Sequence, residues 1–95
     1  MITRTWGGSG EGQFQYRKAE NDAVTAFMDI LQTDSGMLVI KHTEVDPSLG
    51  GQGIGKQLVD AAADYARENG FKILPVCPFA KNILFRFPDR YKGLF

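Results

Sequence analysis

Polar and apolar residues alternate along the first half of the chain, and a helical spacing follows. Gln13 to Arg17 sets Phe14 and Tyr16 against polar neighbours, the pattern of a half-buried strand. Ala23 to Thr33 alternates again, with Val24, Ala26, Met28 and Ile30 on one face. Met37 to Val45 is apolar on both faces at its start, as a central strand is. Lys18 to Asp22 and Thr33 to Gly36 have turn composition, so the three strands read as an antiparallel meander. Asp46-Pro47-Ser48 breaks the third strand. From about Gln52 to Asn69, Ile54, Leu58, Ala61, Ala62, Tyr65 and Ala66 recur every three to four residues, which predicts an amphipathic helix ended by Gly70. Phe71 to Val76 reads as a fourth strand, parallel to the third because a crossover helix joins them. Pro78 opens a second helix, expected to run to about Phe87 and to stop at Pro88. The fold class is therefore mixed α/β (α+β). Residues 1–12 carry Gly7, Gly8, Gly10 and Gly12 and read as a flexible lead-in whose one large apolar group, Trp6, is expected to pack on the domain, with a partner contact as the alternative. Residues 13–95 form the single domain.

Composition narrows the function classes. Ninety-five residues suit one core, and 43% hydrophobic content is ordinary for a globular chain. Eleven basic and eleven acidic residues cancel, so neither nucleic acid nor an acidic membrane surface is favoured in bulk. No apolar run approaches the ~20 residues of a membrane span, and the first residues do not open a signal peptide. Cys77 is the only cysteine, which excludes an internal disulfide and makes the cytoplasm the simplest home. With His42 the only histidine, a structural zinc site of His and Cys is excluded as well.

The run Leu49 to Leu58 carries the chemistry. Gly50, Gly51, Gly53 and Gly55 lie between a strand and the start of a helix. Glycine lets a ligand approach the backbone, and the opening N–H groups of a helix lack partners and carry partial positive charge. Such a turn suits phosphate groups. A P-loop would need Ser or Thr where Gln57 stands, and the dinucleotide fingerprint would need a glycine at Lys56 or Leu58. A turn that only packs, with no ligand, would need fewer glycines.

The meander, the glycine turn, the helix and the parallel strand together resemble the central part of the GNAT superfamily of acyl-coenzyme A N-acyltransferases. Gly53-Ile54-Gly55 matches the glycines of its Arg/Gln-x-x-Gly-x-Gly/Ala turn, while Gly50 stands where arginine or glutamine is usual. His42-Thr43-Glu44-Val45 and Cys77-Pro78-Phe79 resemble the marks of a very short subfamily. The tail, Phe87-Pro88-Asp89-Arg90-Tyr91, departs from that subfamily's His-Pro-Glu-Tyr-like ending.

The resemblance implies a minimal GNAT-like fold and acetyl-coenzyme A (acetyl-CoA) as cofactor. Its pyrophosphate would lie on the amides of Gly51, Gln52, Gly53, Ile54, Gly55 and Lys56, with Lys56 partly replacing the missing arginine. The backbone of Glu44 and Val45 would pair with the pantetheine arm in the splay between the third and fourth strands. His42 and Cys77 end or follow those strands and are expected to face one another across the cofactor thiol as the catalytic pair. Packing roles for both residues remain the alternative. Glu44 is an alternative base, acting through water, and Tyr91 a candidate for protonating the departing thiolate. Lys81, Arg86, Arg90 and Lys92 read as a solvated face, with contact to the 3′-phosphate of coenzyme A as the alternative. The implied activity is acetyl transfer to an amine acceptor, and the small size suits a protein amine or a polyamine. The alternative is a non-catalytic module that binds coenzyme A or a protein. Nothing in the sequence gives the oligomeric state.

Overall fold

A computed structural model describes all residues, Met1–Phe95. Five strands, β1 (Ile2–Trp6), β2 (Glu11–Tyr16), β3 (Ala26–Gln32), β4 (Met37–Val45) and β5 (Lys72–Pro75), form one sheet in chain order. The pairs from β1 to β4 are antiparallel, and β4 and β5 are parallel. Helix α1 (Ile54–Asn69) makes the crossover between that parallel pair, and α2 (Pro78–Arg86) follows β5. No helix is long and apolar enough to cross a membrane.

The expected lead-in is in part a strand. Ile2-Thr3-Arg4-Thr5-Trp6 is β-branched and aromatic, and it pairs with β2 from Ile2↔Tyr16 to Trp6↔Gly12. The glycines after it serve the hairpin: Gly10 takes a φ of +85°, and its carbonyl accepts from the Gln32 N–H at 2.8 Å. Trp6 packs on Tyr65, their ring centroids 5.4 Å apart. The sheet therefore has four antiparallel strands where the periodicity gave three.

One face of the sheet carries the core. Phe14, Ala26, Met28, Ile30, Leu38 and Ile40 meet Leu58, Val59, Ala62 and Ala66 of α1, with Ala80 and Leu84 of α2 completing the cluster. Gly70 stops α1 in the left-handed conformation (φ +71°). The tail returns to β5, where the Ile73 N–H donates to the Leu94 carbonyl at 2.6 Å.

Two irregularities in β4 set up the site. Asp29 pairs with His42 and Ile30 with Ile40, so Lys41 is an extra residue in a β-bulge. The bulge shifts the alternation: Leu38 and Ile40 face the core, but beyond Lys41 that face passes to Thr43 and Val45, opposite the buried Met28 and Ala26. Pairing with β5 ends at Ile40↔Pro75. The N–H groups of Val76 and Cys77 both donate to the Ile40 carbonyl at 3.0 Å, and the chain then turns into α2. From Lys41 to Val45, β4 has no partner strand on that edge.

Candidate active site

The glycine turn is shaped by backbone requirements that differ from residue to residue. The Asp46 carboxylate accepts from the Ser48 N–H at 2.9 Å and starts a short 3-10 turn, Pro47–Leu49. That contact holds the Asp46 carboxyl below the usual carboxylate range. Gly51 (φ +78°) and Gly53 (φ +71°) adopt the left-handed region, and a Cβ on either would point into open space. Gly55 has another reason to be glycine: the Phe79 ring packs where its Cβ would stand. The N–H groups of Gly51, Gly53, Ile54, Gly55 and Lys56 have no hydrogen-bond partner in the protein, whereas that of Gln52 donates to Leu49.

These amides open onto a groove of about 520 Å3 between the turn and α2. Phe79, Asn82, Ile83 and Arg86 line its far side at the i, i+3, i+4, i+7 spacing of one helix face, and Lys56 and Phe87 complete it. Arg86 enters no ion pair, while Lys56 lies 3.2 Å from Asp60. Arg86, which the sequence reads as part of a solvated face or as a phosphate contact, is thus the free cation of the groove. The apolar and polar spacing along α2 was the signal that would have placed it there.

A second hollow, of about 700 Å3, lies along the unpaired end of β4. His42, Thr43 and Glu44 line it with Thr25 and Phe27, and it shares Val45, Asp46 and Pro47 with the groove. His42 Nε2 is 3.6 Å from Glu44 Oε1, and both side chains are more than half exposed. The Thr25 hydroxyl is buried without a partner.

Cys77 and His42 do not face one another. Cys77 is buried at the point where β4 and β5 separate, and its thiol donates to the Thr43 hydroxyl at 3.6 Å. His42 precedes Thr43 and projects to the other face of the sheet, toward the Phe27 ring (6.2 Å between centroids). Without the extra residue at Lys41, regular alternation would have put His42 on the core side with Ile40. Thr43 takes that place.

Tyr91 is also engaged elsewhere. It is fully buried, and its hydroxyl donates to Asp60 Oδ1 at 2.6 Å. Burial, and then the hydrogen bond to the Asp60 carboxylate, push its pKa up to about 12. Arg90 grips both Asp60 oxygens, at 2.9 and 3.0 Å. Burial works against ionisation of Asp60, but the contacts from Arg90, Tyr91 and Lys56 outweigh it and hold the carboxyl below the usual range. In the sequence Asp60 is only a charged position outside the apolar stripe of α1. Only its distance in sequence from Arg90 and Tyr91 hid the cluster.

A family profile described as "GCN5-related N-acetyl-transferase" matches residues 13–94. The chain is similar to a solved structure from Staphylococcus aureus described as a GCN5-like N-acetyltransferase. The two share 36% identity at a TM-score of 0.71, over 97% of this chain and 85% of that one. It is also similar to a ribosomal-protein-alanine N-acetyltransferase from Brucella melitensis biovar Abortus 2308, at 19% identity and a TM-score of 0.67, over 82% of this chain and 63% of that one. An aminoglycoside N-acetyltransferase in complex with CoA gives 14% identity and a TM-score of 0.61, over 83% of this chain and 67% of that one. At these lower identities the likeness is one of fold. No curated protein matches the chain.

Proposed function

The chain belongs to the GCN5-related N-acetyltransferase family, and we propose that it moves the acetyl group of acetyl-CoA to an amine through the two hollows that meet at Val45. One observation carries this reading: a turn of unpartnered amides adjoins a strand edge that has lost its partner. The amides of Gly51, Gly53, Ile54, Gly55 and Lys56, with Arg86 opposite, suit a pyrophosphate. The free edge of β4 at Glu44 and Val45 suits the amide groups of a pantetheine arm. Gln52, whose N–H is already bonded to Leu49, shapes the turn without donating to the phosphates.

Acetyl-CoA supplies the thioester, and the residues around it manage protons. The acceptor nitrogen attacks the carbonyl carbon; a C–N bond forms as the C–S bond breaks. His42, with Glu44 beside it, lines the acceptor hollow, takes the proton that the nitrogen loses and releases it to solvent. Cys77, hydrogen-bonded to Thr43 on the other side of β4, gives its thiol proton to the departing sulfur and is reprotonated from solvent. Tyr91 has no part in this, because its proton is held on Asp60. A covalent route in which Cys77 carries the acetyl group is the second reading, favoured by the position of its thiol where the strands part.

The acceptor hollow is open, which suits an amine on a protein or a polyamine. Acetyl turnover measured with a panel of such amines tests the proposal. Turnover with at least one supports it, and binding of acetyl-CoA without turnover on any would leave a coenzyme A-binding module instead.

A further inference from the structure

Asp60 lies one turn along α1 from Lys56, and donors from two parts of the chain converge on it. Lys56 Nζ reaches Oδ2 at 3.2 Å, Arg90 spans both oxygens, and Tyr91 donates to Oδ1. Of these donors only Lys56 also lines the groove, with its ammonium 5.2 Å from the centre of the Phe87 ring. Arg90 and Tyr91 belong to the tail, where their own N–H groups both donate to the Phe87 carbonyl.

Lys56 therefore has two competing anions: the carboxylate it touches and any phosphate in the groove. The Asp60 side chain is only 22% exposed. A carboxylate so placed gives up its sole cation at a large desolvation cost. Asp60 is not in that position. The two-pronged Arg90 contact and the Tyr91 hydroxyl satisfy it alone, and a guanidinium fork holds a carboxylate better than an ammonium does.

We infer that Asp60, Arg90 and Tyr91 are positioning residues for phosphate recognition: the docked tail keeps Asp60 satisfied and so frees Lys56 to turn to the ligand. The tail, which touches no part of the groove through Arg90 or Tyr91, thereby sets the affinity of a site it does not line. This rests on the reading of the groove as a coenzyme A site.

A double-mutant cycle on coenzyme A affinity, measured calorimetrically on the full chain, tests it. Arg90 is more than half exposed, so Arg90→Gln leaves the core intact. Arg90→Gln should weaken coenzyme A about fivefold in the native background and less than about twofold once Lys56→Ala is present, a coupling within the range for residues of one network. Tyr91→Phe, which keeps the buried ring, carries the same expectation should Arg90→Gln loosen the tail. An equal loss in both backgrounds would mean that Arg90 acts only through its charge, and no loss would mean that the tail is uncoupled; either overturns the inference. Failure of the native protein to bind coenzyme A would overturn the proposed function with it.

Discussion

The thiol of Cys77 lies 3.6 Å from the hydroxyl of Thr43, across the point where β4 and β5 part. His42, the residue beside Thr43, projects to the opposite face of the sheet. The proton donor and the proton acceptor of the proposed reaction are thus held on opposite faces of the sheet by a single bulge at Lys41.

If Cys77 gives its proton to the departing sulfur, Cys77→Ala should lower kcat by about 10²–10⁴-fold, the usual range for a general acid. The KM for acetyl-CoA should change little, since the lost group acts in the chemical step. Mass spectrometry of native protein mixed with acetyl-CoA should find no acetyl group on Cys77. An acetylated Cys77 that passes its acetyl group to an added amine would replace this route with the covalent one.

His42→Gln should slow turnover most at neutral pH and least in alkaline solution, where more of the acceptor amine is already deprotonated. A constant ratio of native to variant rate across pH would remove His42 from the proton path.

The turn separates conformation from packing. Gly53→Ala forces a residue with a Cβ into the left-handed region, at a cost of about 1–2 kcal/mol. Gly55→Ala meets the Phe79 ring, and overpacking of this kind costs about 1–3 kcal/mol. Shortening the neighbour should relieve the second and not the first. Thermal melts of each variant with and without Phe79→Leu give the answer; rescue of Gly53→Ala instead would mean that the ring crowds the wrong glycine.

Tyr91 should titrate with its pKa pushed up to about 12. A phenol whose folded pKa is raised contributes stability that is complete below its unfolded value, near 10, and is lost as pH rises through its folded value. Unfolding followed at alkaline pH should therefore show a loss between about 10 and 12 that Tyr91→Phe lacks. Asp60 acts at the other end of the scale: its folded pKa is lowered, so its contribution is present above the unfolded value and fades as acid reaches the folded one. An ultraviolet titration in which no tyrosine ionises near pH 12 would contradict the buried Tyr91–Asp60 contact.

Periodicity located β4 to the residue, because its apolar run is bounded by Gly36 on one side and Asp46-Pro47 on the other. It also placed α1 and α2 to within a few residues, through Gly70 and Pro88. β1 escaped because its five residues lie among glycines, and a composition window averages strand and turn together. The sequence marks the glycine turn as a candidate ligand site, but its glycines divide into backbone and packing roles that only the position of Phe79 reveals. The face of His42 was not legible at all, since one extra residue in β4 inverts every side chain beyond it. Nor was the Asp60 cluster, whose members are separated by some thirty residues of chain.

The central claim is that the turn after β4 holds the phosphates of coenzyme A through its backbone. The most direct measurement is an amide NMR titration with coenzyme A. The N–H resonances of Gly51, Gly53, Ile54, Gly55 and Lys56 should move together and furthest, with Glu44 and Val45 following along the open edge of β4. If coenzyme A binds while these amides stay still, or if nothing moves at millimolar ligand, the phosphate site is not in this turn.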